Sequence, residues 1–128
     1  MQPELANDDP LTREIIGAAI EVHKALGPGL LESAYETCLA KELTIQGLRV
    51  ARQTEITVEY KGEKLDCVYR ADLIVEHQVL LEIKAVEKLI PIHDAQVLTY
   101  LRLTGIKTGL LLNFNTPYLR EGIRRLSF

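Results

Sequence analysis

Three charged residues interrupt an otherwise apolar stretch of the chain, the segment from Tyr69 to Lys84. Asp72 precedes one apolar run, whereas Glu82 and Lys84 lie within and directly after a second one. A charge within a strand costs free energy unless it is paired, exposed or bound to something, and two neighbouring carboxylates repel unless a cation or proton lies between them. A hard divalent ion such as Mg²⁺, held by carboxylate oxygens and water, suits this pattern. The alternative is that these residues line a solvated face of a sheet.

The geometry of this segment depends on one turn. Two apolar runs flank the polar break Glu76-His77-Gln78, which predicts a β-hairpin. A two-residue turn would place Asp72 opposite Ile83, whereas a three-residue loop places it opposite Glu82. The three-residue loop also pairs apolar residues with each other on the other face, and a slip of one residue would reverse every side chain. We therefore expect the three-residue loop, with Asp72, Glu82 and Lys84 on one patch because residues two apart share a face.

Hydrophobic periodicity predicts the elements that position this hairpin. The order ααβββαβ is typical of a layered α/β (α+β) fold. Residues 118–128 fit either a short helix or an edge strand. We expect residues 1–8 to be a flexible tail and residues 9–128 to form a single domain. The predicted elements are helix Pro10–Leu26 with Asp9 as its N-cap, helix Leu30–Gln46, strand Val50–Tyr60, strand Leu65–Val75, a strand from Val79 to near Val86, helix Pro91–Thr104 and strand Lys107–Phe114.

The second predicted helix carries a further acid, Glu32, in its first turn. A carboxylate is favoured there by the exposed amides and the helix dipole, so Glu32 can be a helix-start residue. It can also be a third acid aimed at the hairpin. The apolar stripe of this helix is predicted to be Leu31, Tyr35, Leu39 and Leu43.

The third predicted helix carries a polar stripe, His93, Gln96 and Tyr100, at spacings that share one helical face. We expect this stripe to face solvent, a partner or a pocket over the hairpin rather than the main core. The basic surroundings of Lys84 are expected to include Arg70 opposite it and also Lys88, Arg120, Arg124 and Arg125. Such a basic group suits the negative charge of a phosphoryl transition state.

Composition excludes several classes of function. The 128 residues carry a formal net charge of −3, which argues against a general nucleic-acid coat. Two cysteines without metal-ligand spacing, no signal-peptide pattern and no apolar run of membrane-spanning length predict a cytoplasmic protein that does not enter a membrane. Neither a nucleophile elbow nor a glycine-rich phosphate loop with its lysine is present.

Taken together, these motifs resemble the PD-(D/E)XK nuclease superfamily. Asp72 followed by Glu82-Ile83-Lys84 is similar to its central motif, with Ala71 where the superfamily name has proline, and Gln96 with Tyr100 is similar to the Gln-x-x-x-Tyr element of its RecB-type and Cas4-type branches. More closely, the chain resembles the small bacterial GxxExxY proteins, named for the motif that here spans Gly29, Glu32 and Tyr35.

The resemblance implies a restriction-endonuclease-like αβββαβ core with an extra N-terminal helix, and an active site where the hairpin strands diverge. It implies that Asp72, Glu82 and the Ile83 backbone carbonyl hold Mg²⁺ or Mn²⁺. Glu32 would complete the metal environment, either directly or through a water molecule. Lys84 would position or activate water, and Gln96 and Tyr100 would support Lys84 or contact the nucleic-acid backbone.

Three functions remain open from the sequence. The first is a metal-dependent phosphodiesterase that acts on DNA or, as the second choice, RNA; its small size means that sequence specificity would need a homodimer, a partner or a structured substrate. The second is a non-catalytic module that keeps the nuclease fold and binds nucleic acid or protein. The third is a structural protein that associates with itself. Fold alone does not decide among them.

Overall fold

The structure, a computed structural model, describes residues 9–128, apart from the side chains of residues 66–68. The flexible tail expected at residues 1–8 and the side chain of Cys67 therefore lie outside the described residues. Cys38 is free and half-buried, as expected for a thiol without a metal site. None of the helices within the described part of the chain is long and apolar enough to cross a membrane.

The predicted order of elements is confirmed, with an αβββαβ core preceded by one additional helix. Both readings of the last residues hold, because a short 3₁₀ helix at Leu119–Gly122 leads into a final strand. The elements are α1 (Pro10–Leu26), α2 (Glu32–Ile45), β1 (Val50–Tyr60), β2 (Glu63–Val75), β3 (Val79–Lys84), α3 (Pro91–Thr104), β4 (Thr108–Asn113) and β5 (Ile123–Ser127).

Local chemistry explains most of the helix ends. Asp9 caps α1 by accepting a hydrogen bond from the Thr12 backbone amide at 2.8 Å. Gly105 ends α3 in the left-handed conformation, at φ 79°, which glycine adopts without steric cost. The predicted start of α2 was wrong, because Leu30 and Leu31 belong to the preceding loop. Leu31 is the N-cap and 77% exposed, so it is not part of the buried stripe of α2.

The strands form one mixed sheet in the order β1-β2-β3-β4-β5. Only β3 and β4 pair in parallel, since α3 crosses between them, and the other neighbours are antiparallel. The three-residue loop of the central hairpin is confirmed: Glu76 and His77 have positive φ, and Leu73 pairs with Leu81. This register directs the charged residues of β2 and β3 to one patch.

Each face of the sheet carries its own core. The larger core places α1 and α2 against one face, around Tyr35 and Phe114, whose rings stack at 4.5 Å. The smaller core places α3 against the other face. This helix approaches β4 closely at Gly109, where an added Cβ would lie 2.7 Å from Val97 Cγ1. The tight contact sets the distance of α3 from the sheet, and with it the positions of Gln96 and Tyr100.

Candidate functional site

A pair of carboxylates lies where β2 and β3 separate. Ladder pairing between the two strands ends at Leu73 and Leu81, and side chains take over one step further on. The Asp72 backbone amide donates to Glu82 Oε2 at 2.8 Å, and the Ile83 amide donates to Asp72 Oδ2 at 2.8 Å. Each carboxylate thus replaces a missing ladder bond with one of its oxygens, and the second oxygen of Asp72, Oδ1, accepts a hydrogen bond from Gln53 Nε2 at 3.3 Å.

The backbone around Asp72 is irregular on both strands. The β1–β2 ladder omits the pair of Gln53 and Asp72, and Gln53 has a positive φ of 49°. Leu73 packs in the larger core, whereas Ala71, two residues away, packs in the smaller one. Since residues two apart normally share a face, the alternation of β2 is interrupted at Asp72. The strand bends here, and this bend directs the Asp72 carboxylate toward β3.

Glu82 is the most strongly perturbed acid of the site. It lies in a central strand and only 4% of its surface is exposed. Burial raises the pKa of Glu82 from 4.5 to about 8, and the Asp72 carboxylate adds to the rise. The Asp72 amide and the Lys84 ammonium act in the opposite direction, and Glu32 raises the value slightly. Glu82, Asp72, Lys84 and Glu32 therefore act electrostatically as one group, and at neutral pH Glu82 holds a proton unless a cation replaces it.

Lys84 follows Glu82 on the same face of β3, at the half-buried end of the strand. Its carbonyl accepts a hydrogen bond from the Phe114 amide at 2.9 Å, which continues the pairing with β4. Just beyond it, the Asn113 side chain holds the chain by bonds to both the amide and the carbonyl of Val86, at 3.1 and 2.9 Å. Across the described residues, the Lys84 ammonium makes no ion pair within 4.0 Å, so it is available to an anion.

Glu32 reaches the hairpin from α2. One of its carboxylate oxygens accepts a hydrogen bond from the Ala85 amide at 3.3 Å, at the end of β3. Glu32 is exposed and lies in the first turn of α2. Its position is therefore compatible with a helix-start residue and with a third acid aimed at the hairpin.

Tyr35 explains the spacing of the motif that contains Glu32. The Tyr35 hydroxyl donates to the Gly27 carbonyl at 2.6 Å and accepts from the Leu30 amide at 3.1 Å. It thereby closes the loop before α2, in which Gly29 has a φ of 102°. Because Glu32 and Tyr35 lie one turn apart, the ring is buried while the carboxylate points toward the end of β3. The glycine, the glutamate and the tyrosine form one positioning unit.

A second set of polar residues, which sequence reasoning missed, supports Asp72. Gln53 Nε2 donates to Asp72 Oδ1 at 3.3 Å and to Glu36 Oε1 at 2.7 Å. Glu36 lies in α2, is 7% exposed, and forms an ion pair of 3.2 Å with Arg52. In the sequence, the only indication was that Glu36 directly follows Tyr35, a residue of the predicted apolar stripe. This position did not identify Gln53.

Tyr100 lies near the carboxylates on the α3 side, and Gln96 is bonded to it. Gln96 Nε2 donates to the Tyr100 hydroxyl at 3.1 Å. Burial and the Glu82 carboxylate raise the pKa of Tyr100, and the Asp72 carboxylate contributes to the same rise. Tyr100 lies outside the larger core, but it is only 5% exposed because it packs with Leu101 in the smaller core. His93 instead accepts the Ile90 amide at its Nδ1, at the start of α3.

The basic surroundings of Lys84 are smaller than expected. Arg70 pairs with Glu55 across β1 and β2, at 3.8 Å, and does not face Lys84, because the β2–β3 ladder ends before Arg70 is reached. Arg124 pairs with Asp94 at 2.7 Å. Arg125 is buried and pairs with Asp9 at 3.0 Å, next to the start of α1.

The carboxylate pair fits a small hard cation. It offers two carboxylates, of which one is buried and retains a proton at neutral pH without a counter-charge. Across residues 9–128, leaving aside the side chains of 66–68, no three side chains of His, Cys, Asp or Glu form a ready metal cluster. Mg²⁺ is commonly held by only one or two carboxylates, with water and substrate phosphate completing its shell. The two carboxylates therefore fit a hard divalent cation that takes part of its shell from water and phosphate.

Comparison with known proteins gives one match. Residues 9–126 match the PD-(D/E)XK nuclease superfamily, whose members generally use divalent metal ions. No curated protein and no solved structure matched the chain. The match spans nearly all of the described residues, and it agrees with the αβββαβ core and with a nuclease-type function in general. The chain belongs to the PD-(D/E)XK nuclease superfamily.

Proposed function

We propose that the protein is a metal-dependent phosphodiesterase that cleaves nucleic acid, with DNA as the expected substrate and RNA as the second choice. Membership of the GxxExxY group is part of this proposal. The observation that carries it is the pair of hydrogen bonds from the Asp72 amide to the Glu82 carboxylate and from the Ile83 amide to the Asp72 carboxylate, which holds a buried acid with a raised pKa beside a second acid and near the Lys84 ammonium. A purely structural sheet gains nothing from such an arrangement, because a buried acid next to another acid costs free energy.

The residues divide the chemistry among them as follows. Asp72 and Glu82 would hold Mg²⁺ or Mn²⁺ through the oxygens that do not accept backbone amides, with the Ile83 carbonyl as a further ligand and Glu32 acting through a water. The bound ion supplies Lewis-acid polarisation of the phosphate and lowers the pKa of a water molecule. Glu82 would hold such an ion as the carboxylate, because the positive charge would take the place of the proton between the two acids.

Lys84 positions the attacking water and stabilises negative charge on the phosphoryl group. Its ammonium is attracted to Glu82 but is not fixed in an ion pair, so it can donate to a phosphate oxygen as charge develops there. Tyr100 and Gln96 form a hydrogen-bonded pair, and in this proposal they support Lys84 or contact the nucleic-acid backbone.

Cleavage of labelled oligonucleotides tests the proposal. The substrates are single-stranded, duplex and branched DNA and single-stranded RNA, each with Mg²⁺, with Mn²⁺ and with a chelator. We expect metal-dependent cleavage that falls at least about 100-fold in Asp72→Asn and in Lys84→Met, since each removes a charge used in the transition state. The matched control is Glu63→Gln, which changes an exposed acid at the far end of the same strand and keeps full activity.

The result also separates the two main functions. Nucleic-acid binding without cleavage, in every metal tested, would establish the non-catalytic module instead. Cleavage that persists in Asp72→Asn would contradict the assignment of the site.

A further inference from the structure

A largely apolar pocket opens beside the carboxylate site, between α3 and the first two strands. Its volume is about 560 Å³, and its apolar and aromatic lining includes Tyr69, Tyr100, Ile92 and Leu103. Tyr69 is 46% exposed and Ile92 is 65% exposed, so large apolar side chains face solvent here. Polar groups of Gln96 and Arg102 also line it. Tyr100 and Gln96 also belong to the carboxylate site, whereas Tyr69, Ile92 and Leu103 belong neither to that site nor to either core.

Tyr100 joins the pocket to the carboxylate site. Its hydroxyl lies close enough to Glu82 and Asp72 for their carboxylates to raise its pKa. The Tyr100 ring meets the ring of Tyr69 with centroids 6.2 Å apart and planes at 49°. One residue therefore forms a wall shared by the two sites, and a ligand in the pocket would be continuous with a phosphate bound at the carboxylates.

We propose that this pocket binds one unpaired nucleobase of the strand being cleaved, next to the phosphate held at Asp72 and Glu82. This inference rests on the proposed function and specifies its substrate as nucleic acid with single-stranded nucleotides at the cleavage site. A base paired in a duplex is covered on both faces by its neighbours and cannot enter a concave pocket, whereas an unpaired base can.

The chemistry of the pocket matches a nucleobase. The ring of Tyr69 is partly exposed and offers a stacking surface, which tolerates any base because every base has a π-face. The Gln96 amide uses its nitrogen to donate to Tyr100, and its carbonyl oxygen remains able to accept from a base edge. An aliphatic ligand would leave these polar groups unused, and a second copy of the chain would be expected to bury them without partners.

Binding of a fluorescently labelled single strand, followed by anisotropy in the presence of a chelator, tests the pocket without any cleavage. We expect Tyr69→Ala to weaken binding at least about 5-fold and Tyr69→Trp to preserve it, because tryptophan keeps the stacking surface. The matched control is Tyr60→Ala, which removes an exposed tyrosine from the end of β1 and leaves binding unchanged. Binding to a blunt duplex should not respond to Tyr69→Ala.

A set of strands with one abasic position each locates the base. At one position the abasic strand should bind the wild type as weakly as Tyr69→Ala binds the intact strand, with no further loss when both changes are combined.

Three results would overturn the inference. They are equal losses in Tyr69→Ala and Tyr60→Ala, equal effects on duplex and single strand, and self-association of the wild type that Tyr69→Ala abolishes. Base binding without metal-dependent cleavage would contradict the proposed function and leave the pocket established. Metal-dependent cleavage that is unchanged in Tyr69→Ala would support the proposed function and contradict the binding of a base in this pocket.

Discussion

Replacing Glu82 with glutamine should change how the stability of the protein depends on pH. The pKa of Glu82 rises from 4.5 to about 8 in the folded chain, chiefly through burial. An acid with a raised pKa binds its proton more tightly when folded, so its stabilising contribution is complete below pH 4.5 and is lost as the pH rises toward 8. Glutamine resembles the protonated acid and removes this loss.

The size of the effect follows from the linkage relation. Between about pH 6 and about pH 9 the wild type should lose about 3 kcal/mol of unfolding free energy relative to Glu82→Gln. For a chain of this length, that difference corresponds to about 10 °C in Tm. Thermal or urea unfolding at both pH values, with a chelator present, measures it. Other titrating groups are common to both proteins and cancel in the difference.

Glu63→Gln serves as the control, because it alters an exposed acid and should follow the wild type at both pH values. The difference in unfolding free energy between the wild type and Glu82→Gln could instead stay constant from about pH 6 to about pH 9. That result would contradict a raised pKa for Glu82, because the acid would then ionise in the folded protein as it does in water.

Three further experiments test the contacts that position the site. Gln53→Gly keeps the positive φ of 49° but removes the hydrogen bond to Asp72. We expect this variant to remain folded by circular dichroism and to need a higher Mg²⁺ concentration for half-maximal cleavage. An unchanged Mg²⁺ requirement would show that this hydrogen bond is dispensable. Gly109→Ala should lower the free energy of unfolding by about 1–3 kcal/mol, because the added Cβ would crowd α3. Gly17→Ala, at an open position of α1, should raise it by up to about 1 kcal/mol. Similar melting temperatures for the two variants would contradict the close packing of α3 on Gly109. Tyr35→Phe removes two hydrogen bonds from the loop before α2 and should lower the free energy of unfolding by about 1–3 kcal/mol, measured by urea denaturation. No loss would mean that the stacking of this ring on Phe114 is sufficient to hold the loop.

The hairpin and its register could be predicted from the sequence because the evidence is local. Continuous apolar runs lie on both sides of Glu76-His77-Gln78, and the three-residue loop pairs their residues with each other. The helix ends near Asp9 and Gly105 were predictable for the same reason, since capping depends on residues close in the chain. Leu31 misled the prediction, because apolar periodicity continued past the point where the helix begins.

The support around the carboxylates could not be predicted, because it depends on contacts between distant residues. Gln53 meets Asp72 and Glu36 only through a bend in two strands, and its positive φ is uncommon for glutamine. Arg70 was placed opposite Lys84 by extending an ideal ladder beyond the point at which the strands separate. Both cases arise at the divergence of β2 and β3, where side chains replace backbone pairing.

Calorimetric titration with Mg²⁺ and with Mn²⁺ tests the central claim most directly, comparing the wild type with Asp72→Ala and with the control Glu63→Gln. We expect the ion to bind to the wild type and to Glu63→Gln, with release of a proton at neutral pH as Glu82 ionises, and we expect no binding to Asp72→Ala. Binding that survives in Asp72→Ala, or folded wild type that binds neither ion with nucleic acid absent or present, would contradict a metal site at Asp72 and Glu82.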